Sequence, residues 1–327
     1  MSAGWSALAA RFLLRLGARG PARHRLSILI YHRVLPQPDP LFPDEIDAVR
    51  FERQLTDLKR AFHVMPLAQA VRCLREGTLP PYAACITFDD GYADNADIAL
   101  PILQRHGLHA TFFVASGFLD GGRMWNDTVI ELVRRAPDGE LDLQALGYGS
   151  HPLRSAAQRT AAIHALLGQL KYLAPAQRLA EVERIVRRLG TALPDDLMMT
   201  SAQLRQLHRA GMEIGAHTVH HPILASLDDA AARDEMASGK AALEALIGAP
   251  VRLFAYPNGK PEQDYRASHV TIARALGFEA AVSTAWGAAD ERSDPFQLPR
   301  FTPWDRSPLR FTLRLLQNLY RRGQTVA

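Results

Sequence analysis

Short apolar runs alternate with helical patterns along most of this chain, and this alternation constrains the fold more than any other feature. The predicted strands cover residues 26–31, 83–88, 110–115, 213–216, 251–256 and 279–283. The predicted helices cover residues 51–62, 94–106, 201–210, 228–247 and 268–276. Glycines directly follow the last three helices, at positions that suit a left-handed C-cap. The alternation is typical of a mainly parallel sheet, either open or closed into a barrel.

One long segment interrupts this alternation. Residues 125–197 carry helical patterns and no convincing strand, so we interpret them as a helical insertion. The predicted organisation is an amphipathic N-terminal helix over residues 1–25, a main α/β domain over residues 26–305, and a basic C-terminal helix over residues 306–327. With 327 residues and 47% hydrophobic content, the chain can bury a sizeable core.

The charge pattern argues against a nucleic-acid partner. The formal net charge is +4, but the basic residues are scattered over helical faces and form no dense block with interleaved aromatic residues. The two cysteines, Cys73 and Cys85, lack C-x-x-C spacing and are predicted to be small buried apolar residues. Neither nucleic-acid binding nor a cysteine-based site is therefore expected.

Hydropathy bears on the relation to membranes. No run approaches the roughly 18 to 20 uninterrupted apolar residues that a span requires, and the N-terminus lacks the continuous apolar region of a secretory signal. Both ends are basic and amphipathic, which favours terminal helices that pack on the domain, since apolar stripes usually face a core. Peripheral membrane contact through these helices is the alternative. We expect the protein in the cytoplasm or at the cytoplasmic face of the membrane.

Two adjacent carboxylates follow the predicted strand over residues 83–88. Asp89 and Asp90 stand in the sequence T-F-D-D-G, directly before a glycine turn. Successive side chains leave an extended chain on opposite sides, so the two carboxylates cannot easily share one function. One of them can bind a cation while the other accepts a proton.

Two histidines four residues apart follow another predicted strand. His217 and His221 stand in G-A-H-T-V-H-H-P, where both imidazoles can chelate one cation on the same face of a turn. A chance pair is the alternative, because the chain has twelve histidines. The position at a strand end favours the metal site, since catalytic groups of parallel α/β folds collect at the carboxyl ends of strands. Two histidines and a carboxylate form an open zinc site of the kind that activates water for hydrolysis.

Three sequence blocks in this order resemble the polysaccharide deacetylase family, also called the NodB-homology family or carbohydrate esterase family 4. They are T-F-D-D-G from Thr87, H-T-x-x-H-P from His217 and F-A-Y-P-N-G from Phe254. The resemblance implies a distorted (β/α) barrel of about seven parallel strands with the helical insertion. It also assigns roles: Asp89 is the general base, and Asp90, His217 and His221 hold a divalent metal. Zinc is the expected ion, and cobalt or nickel would accept the same ligands.

The third block departs from the common family form. Ala255 stands where many members carry an arginine, and Asn258 stands where many carry a tyrosine. The resulting A-Y-P-x-G variant resembles a subgroup that acts in exopolysaccharide biosynthesis. The resemblance implies that this block supplies the backbone donor to the oxyanion and part of the substrate groove, so the predicted contacts are Tyr256, Pro257 and Asn258.

The residue that protonates the leaving amine is harder to assign. Many family members use a late histidine, but the corresponding region here, Q-L-P-R-F-T-P-W, has none. His32, in L-I-Y-H-R-V, resembles the histidine near the N-terminus of circularly permuted relatives and is the candidate acid. A structural histidine is an equal alternative. Arg300 is predicted either to orient Asp89 through an ion pair and contact the sugar, or to help pack the terminal helix.

The resemblance implies a hydrolase that removes N-acetyl groups from the amino sugars of a polysaccharide or a glycan precursor. Two alternatives remain. The first is removal of another acyl group, formyl or O-acetyl, from a lipid-linked or nucleotide-linked sugar. The second is a catalytically silent barrel that binds glycans. The presence of every proposed ligand and of the base argues against the silent barrel.

Overall fold

Seven parallel strands form a nearly closed barrel in the computed structural model, which describes residues 20–327. In chain order the strands of the molecule are β1 (Ser27–Tyr31), β2 (His63–Val64), β3 (Ala83–Phe88), β4 (Thr111–Val114), β5 (Glu140–Leu143), β6 (Gly149–Pro152), β7 (Glu213–Ala216), β8 (Leu253–Ala255), β9 (Ala280–Trp286) and β10 (Leu298–Arg300). In spatial order the barrel strands are β1, β3, β4, β7, β8, β9 and β10, and the short β2 pairs with the first residues of β3. The predicted distorted (β/α) barrel is confirmed.

The barrel closes between its first and last strands. The Phe301 N–H donates to the carbonyl of Ile28 at 2.7 Å, and the Ile30 N–H donates to the carbonyl of Phe301 at 3.0 Å. The pairing of β10 with β9 shifts register between Leu298 and Arg300, which distorts the barrel beside this closure. The last strand therefore completes the cylinder that the first strand begins.

Helices surround the barrel and continue the chain between strands. They are α1 (Ala48–Ala61), α2 (Leu67–Arg75), α3 (Leu100–His106), α4 (Trp125–Arg135), α5 (Ala156–Leu170), α6 (Pro175–Leu189), α7 (Ser201–Arg209), α8 (Asp229–Ile247), α9 (Ala267–Ala275) and α10 (Pro308–Asn318). A π-helical turn, Asn95–Ala99, leads into α3. Side chains that accept a hydrogen bond from the first turn fix several starts, as Asp47 does for α1 and Thr200 for α7.

The strands are buried on both faces, as expected for a parallel sheet covered by helices. Alternate residues of a strand fall into two separate hydrophobic clusters. Leu29 and Ile86 belong to the larger cluster, which includes residues of most surrounding helices. Ile28 and Cys85 belong to the smaller one, which includes residues of α2. Cys85 is thus a buried apolar residue, as predicted.

The segment over residues 125–197 contains more than helices. Helices α4, α5 and α6 share a hydrophobic cluster of their own with β5 and with Leu153, which follows β6, and the two strands form a short antiparallel hairpin. The expectation of no strand here was wrong, because E-L-D-L of β5 alternates exposed and buried side chains as an edge hairpin does. The two strands are only four residues long each, which is why the helical patterns hid them.

The terminal segments differ in how much is described. The predicted N-terminal helix falls mostly on residues 1–19, outside the described part of the chain, and Gly20–His24 form a 3₁₀ turn. At the other end, α10 buries Phe311 and Leu315 in the larger cluster, while Leu309 and Tyr320 are exposed. Within residues 20–327, no helix combines the length and hydrophobicity needed to cross a bilayer.

Candidate active site

Polar side chains collect at the carboxyl ends of the barrel strands. His32 follows β1, Asp89 and Asp90 follow β3, and His217 follows β7. Because these strands are parallel, their carboxyl ends meet at one end of the barrel. All four residues line one cavity of about 360 Å³, together with His221. The structure therefore brings these five residues, which the sequence singled out, around one cavity.

Asp90, His217 and His221 form a cluster with the character of a metal site. Their potential ligand atoms all lie within 4.8 Å of one another. Asp90 Oδ1 is 3.5 Å from His217 Nε2 and 3.4 Å from His221 Nε2. Two ligands bound to a tetrahedral zinc ion at its usual distances lie roughly 3.3 Å apart, so this spacing fits a shared cation.

A buried oxygen without a partner supports this assignment. Asp90 Oδ1 is buried and accepts no hydrogen bond within the described residues. Such an atom costs free energy unless an ion or a donor satisfies it. A divalent cation between Asp90 and the two histidines would do so, and the donor set of one carboxylate and two imidazoles suits it.

The rings of the two histidines are prepared for this role by their surroundings. His217 Nδ1 donates to the carbonyl of Ala255 at 2.7 Å, which leaves Nε2 as the free lone pair beside Asp90. Burial would lower the pKa of His217, but Asp90 and Asp89 raise it above its usual value. Burial lowers the pKa of His221 to about 4, so His221 is neutral at pH 7 and able to bind a metal.

The backbone around the cluster adopts unusual conformations. Asp90, Thr218 and His221 have positive φ angles of 75°, 64° and 53°. This region is unfavourable for residues with a side chain, above all for a β-branched threonine, and each such residue costs about 1–3 kcal/mol. The Thr218 hydroxyl accepts a hydrogen bond from the His221 N–H at 3.1 Å, which helps hold the loop that carries both histidines.

Helix α8 anchors the same loop, a contact that the sequence did not reveal. Glu235 Oε2 accepts from the N–H groups of Val219 and His220 at 3.0 and 2.9 Å, and Glu235 Oε1 lies 2.8 Å from His220 Nδ1. One turn further on, Gly239 lies directly against the backbone of Thr218. His220 is exposed, and its ring is held by Glu235 of α8.

Arg300 forms a bidentate ion pair with Asp89. Arg300 Nη1 and Nη2 donate to Asp89 Oδ1 and Oδ2 at 2.7 and 2.6 Å, and both side chains are almost fully buried. The guanidinium also donates to the carbonyl of Ser283 and to the hydroxyl of Thr87. Of the two roles predicted for Arg300, the structure therefore shows the pairing with Asp89.

This ion pair sets the charge of Asp89. Burial would raise the pKa of the Asp89 carboxyl, but Arg300 and then His217 lower it below its usual value. Asp89 is therefore ionised over the whole physiological range. The arginine that many family members carry at the position of Ala255 is absent here, and Arg300 supplies a guanidinium from β10 instead.

The three residues predicted as substrate or oxyanion contacts separate in the structure. Asn258 lines the cavity. Tyr256 is fully buried, donates its hydroxyl to the carbonyl of Phe296, and donates its N–H to Val282. Pro257 is buried and has no N–H, so neither residue offers a donor to a substrate. Neither residue lines the cavity, so the substrate contact predicted for Tyr256 and Pro257 stays a prediction.

His32 and Asp127 are the remaining titratable groups of interest in the cavity. His32 is exposed, and its backbone carbonyl accepts a hydrogen bond from the Asn95 side chain at 2.9 Å. Asp127, in α4, was not predicted. Burial raises the pKa of Asp127 to about 7, and Tyr92 donates to its carboxyl group at 3.1 Å. The sequence M-W-N-D at the start of the insertion was the only available signal for it.

Comparison with known proteins finds a family profile and a relative that match this chain. A profile of the family described as polysaccharide deacetylase matches residues 76–281, well over half of the chain, and this match includes Asp89, Asp90, His217 and His221. A Bacillus subtilis (strain 168) protein with the provisional name polysaccharide deacetylase YxkH is 20% identical over 278 residues. These cover 84% of this chain and 70% of that protein.

Solved structures share the fold. The Streptococcus pyogenes deacetylase PplD, in complex with acetate, has a TM-score of 0.59 and 20% identity, covering 90% of this chain and 98% of that one. IcaB from Ammonifex degensii has a TM-score of 0.59 and 20% identity, covering 90% and 97%. The BpsB deacetylase domain from Bordetella bronchiseptica has a TM-score of 0.54 and 18% identity, covering 87% and 98%.

Proposed function

This chain belongs to the polysaccharide deacetylase family, and we propose that it removes N-acetyl groups from amino sugars of an exopolysaccharide or of its precursor with the help of a divalent cation. Enzymes of this family hydrolyse N-acetyl amide bonds. The proposal rests above all on one observation: the buried, unsatisfied Oδ1 of Asp90 lies between His217 and His221, next to an ionised Asp89.

In the proposed mechanism each residue has one role. Asp90, His217 and His221 hold the cation, which when bound supplies Lewis-acid activation of water and of the acetamide carbonyl. Asp89 accepts the proton of the attacking water, and Arg300 keeps its carboxylate ionised and fixed in orientation. Asn258 lies at the cavity wall, where its backbone N–H is the candidate donor to the oxyanion.

The second half of the reaction needs a proton for the leaving amine. We propose that His32 supplies it, because this side chain lines the same cavity as Asp89 and reaches solvent, from which it can be reprotonated. The carbon–nitrogen bond then breaks, and acetate and a free amine are released.

Acetate release from N-acetylglucosamine oligomers, with and without a chelator, tests the proposal. Zinc-loaded protein should release acetate, and chelator-treated protein should not.

Asp89→Asn should abolish turnover while the bound metal, measured by elemental analysis, is retained. His217→Ala should lose both metal and turnover. If only formate or O-linked acetate is released, the substrate carries that acyl group and not an N-acetyl group. Turnover by Asp89→Asn would refute Asp89 as the general base.

A further inference from the structure

A second cavity adjoins the candidate active site. It has a volume of about 220 Å³ and shares Asp90, Asn126, His221 and Asn258 with the first cavity, so the two meet at the metal cluster. Its outer wall comes from the helical insertion. Six residues line the second cavity but not the first: Met124, Trp125, Leu167, Lys171, Arg178 and Ile223.

Arg178, in α6, is an unusual member of this wall. The residue is only 7% exposed, and its Nε is buried with no hydrogen-bond partner within residues 20–327. The guanidinium lies over the ring of Trp125, 4.8 Å from its centroid. Burial lowers the pKa of Arg178, and no carboxylate acts to raise it. A buried guanidinium without a counter-charge is costly, so its charge requires an explanation.

A purely structural role does not explain this charge. Arg178 Nη1 donates to the carbonyl of Lys171 at 3.1 Å, and Lys171 is the C-cap residue of α5, so Arg178 does cap that helix. A neutral donor would satisfy the same carbonyl without burying a charge. The cap uses one N–H of five and leaves Nε unsatisfied.

Lys171 places a second positive charge on the same wall. Its side chain is half-buried and forms no ion pair among the described residues, and its Nζ lies 5.8 Å from the centroid of the Tyr172 ring. The first cavity is different in character, since six carboxylates, among them Asp39, Asp127 and Glu131, line it against only two arginines, Arg33 and Arg134. The only carboxylate of the second cavity is Asp90, the proposed metal ligand. The groove is thus acidic on one side of the cluster and basic on the other.

We propose that Arg178 and Lys171 form a subsite for an oxyanion carried by the glycan substrate, a phosphate or a uronate carboxylate, next to the acetylated sugar. The guanidinium offers the fork of donors that such groups accept, and Lys171 adds a point charge. The subsite would hold the substrate across the cluster with its acetamide at Asp89. This inference rests on the proposed deacetylation, but the binding it describes does not require turnover.

The test measures binding of three probes by calorimetry. They are N-acetylglucosamine, N-acetylglucosamine 1-phosphate and a disaccharide of glucuronic acid and N-acetylglucosamine. At least one charged probe should bind the wild type more tightly than the neutral sugar, and added salt should weaken that binding. The charged probe that binds more tightly identifies the oxyanion as phosphate or carboxylate.

Variants locate the binding. Arg178→Met keeps the packing on Trp125 and should weaken binding of the preferred charged probe about tenfold or more. Lys171→Met should weaken binding of the same probe several-fold. Because Lys171 is more exposed than Arg178, this variant tests the subsite even if Arg178→Met does not fold. Arg188→Met, at an exposed position of the same helix that lines neither cavity, should bind like the wild type.

His217→Ala separates the subsite from metal binding and from the proposed activity. This variant should lose turnover and still bind the charged probe more tightly than the neutral sugar. Equal binding of charged and neutral probes by the wild type would overturn the subsite and leave the deacetylation intact. Unchanged binding in both Arg178→Met and Lys171→Met would overturn it as well. If the protein releases no acetate but Arg178→Met loses binding, the subsite stands and the proposed reaction fails.

Discussion

At the scale of single residues, Arg300 determines how the proposed base behaves. Its two terminal nitrogens hold both oxygens of Asp89, and both side chains are almost fully buried, so water replaces a lost partner poorly. Removing one member of a buried ion pair leaves the other as an uncompensated charge, which is more costly than removing both. Asp89 and Arg300 therefore form one functional unit.

We expect Arg300→Met to lower the free energy of unfolding by about 3–5 kcal/mol. The double variant Asp89→Asn with Arg300→Met should lose less than the sum of the two single changes. Urea unfolding of metal-free protein at pH 7 measures both effects. Arg306→Met, which breaks an exposed ion pair with Asp44, is the matched control and should leave stability almost unchanged. Additive losses would show that the pair is not coupled.

The same pair gives a pH dependence of known sign. The pKa of Asp89 is lower in the folded protein than its usual value of about 4, so the unfolded chain takes up the proton first. The stabilisation by the pair is thus complete above about pH 4 and is lost as the pH falls through the folded pKa. Wild-type stability should fall more steeply below pH 4 than that of the double variant.

The role of His32 can be tested against a second titratable group in the same cavity. His32→Gln should lower kcat by about 10²–10⁴ without loss of bound metal, because the leaving amine then lacks its acid. Asp127→Asn should have a smaller effect on kcat, since Asp127 is buried and held by Tyr92. Steady-state kinetics with a metal assay distinguishes the two. The opposite ranking would make Asp127 the acid.

Sequence reasoning identified the site residues that carry a motif and missed those that act through space. Asp90, His217 and His221 stand in short patterns whose chemistry is readable from their spacing. Glu235 stands in an ordinary helix, and only the folded structure shows that it holds the N–H groups of the histidine loop. Arg300 could be proposed as a partner of Asp89 but not chosen over packing, because no local pattern links residues 211 positions apart.

At the scale of secondary-structure elements, α8 supports the metal cluster through its close approach to the histidine loop. A Cβ atom at Gly239 would lie 2.7 Å from the carbonyl carbon and oxygen of Thr218. Glycine in a helix normally costs about 0.5–1 kcal/mol relative to alanine, so its presence here requires a reason. The reason is the contact between the helix and the backbone of Thr218.

We expect Gly239→Ala to displace the histidine loop and weaken metal affinity by at least tenfold, despite the better helix propensity of alanine. Gly168→Ala is the matched control. Gly168 also lies in a helix, but a Cβ atom there would meet nothing within 4 Å, so this change should raise the free energy of unfolding by up to about 1 kcal/mol and leave metal binding unchanged. Metal titration and urea unfolding measure the two effects. Equal metal affinity in both variants would contradict the proposed contact.

The strands that were predicted have a clear local sequence pattern, and the strand β10, which was missed, has none. The strands over residues 83–88 and 213–216 are short, largely apolar runs that follow helical patterns, and the structure gives them the same bounds. β10 is three residues long and contains a proline, so L-P-R resembled a loop. It is a strand because β9 and β1 lie on either side of it, a tertiary effect that no local pattern records.

At the scale of the whole molecule, the metal should contribute to stability. A ligand that binds only the folded state stabilises it, by about 2.7 kcal/mol at a concentration one hundred times its Kd. For a protein of this size we expect zinc at that concentration to raise the Tm of chelator-treated protein by roughly 4 °C. Asp90→Asn should show a much smaller rise, and differential scanning calorimetry measures both. An equal rise in the variant would place the bound zinc elsewhere.

The closure of the barrel by β10 also governs when the protein can first act during its synthesis. The ribosome completes Asp89, Asp90 and both histidines long before it reaches Arg300. Until β10 emerges, the nascent chain has its proposed metal ligands but neither a closed cylinder nor a partner for its base. Activity therefore requires translation through β10, and products of premature termination before Arg300 should be inactive.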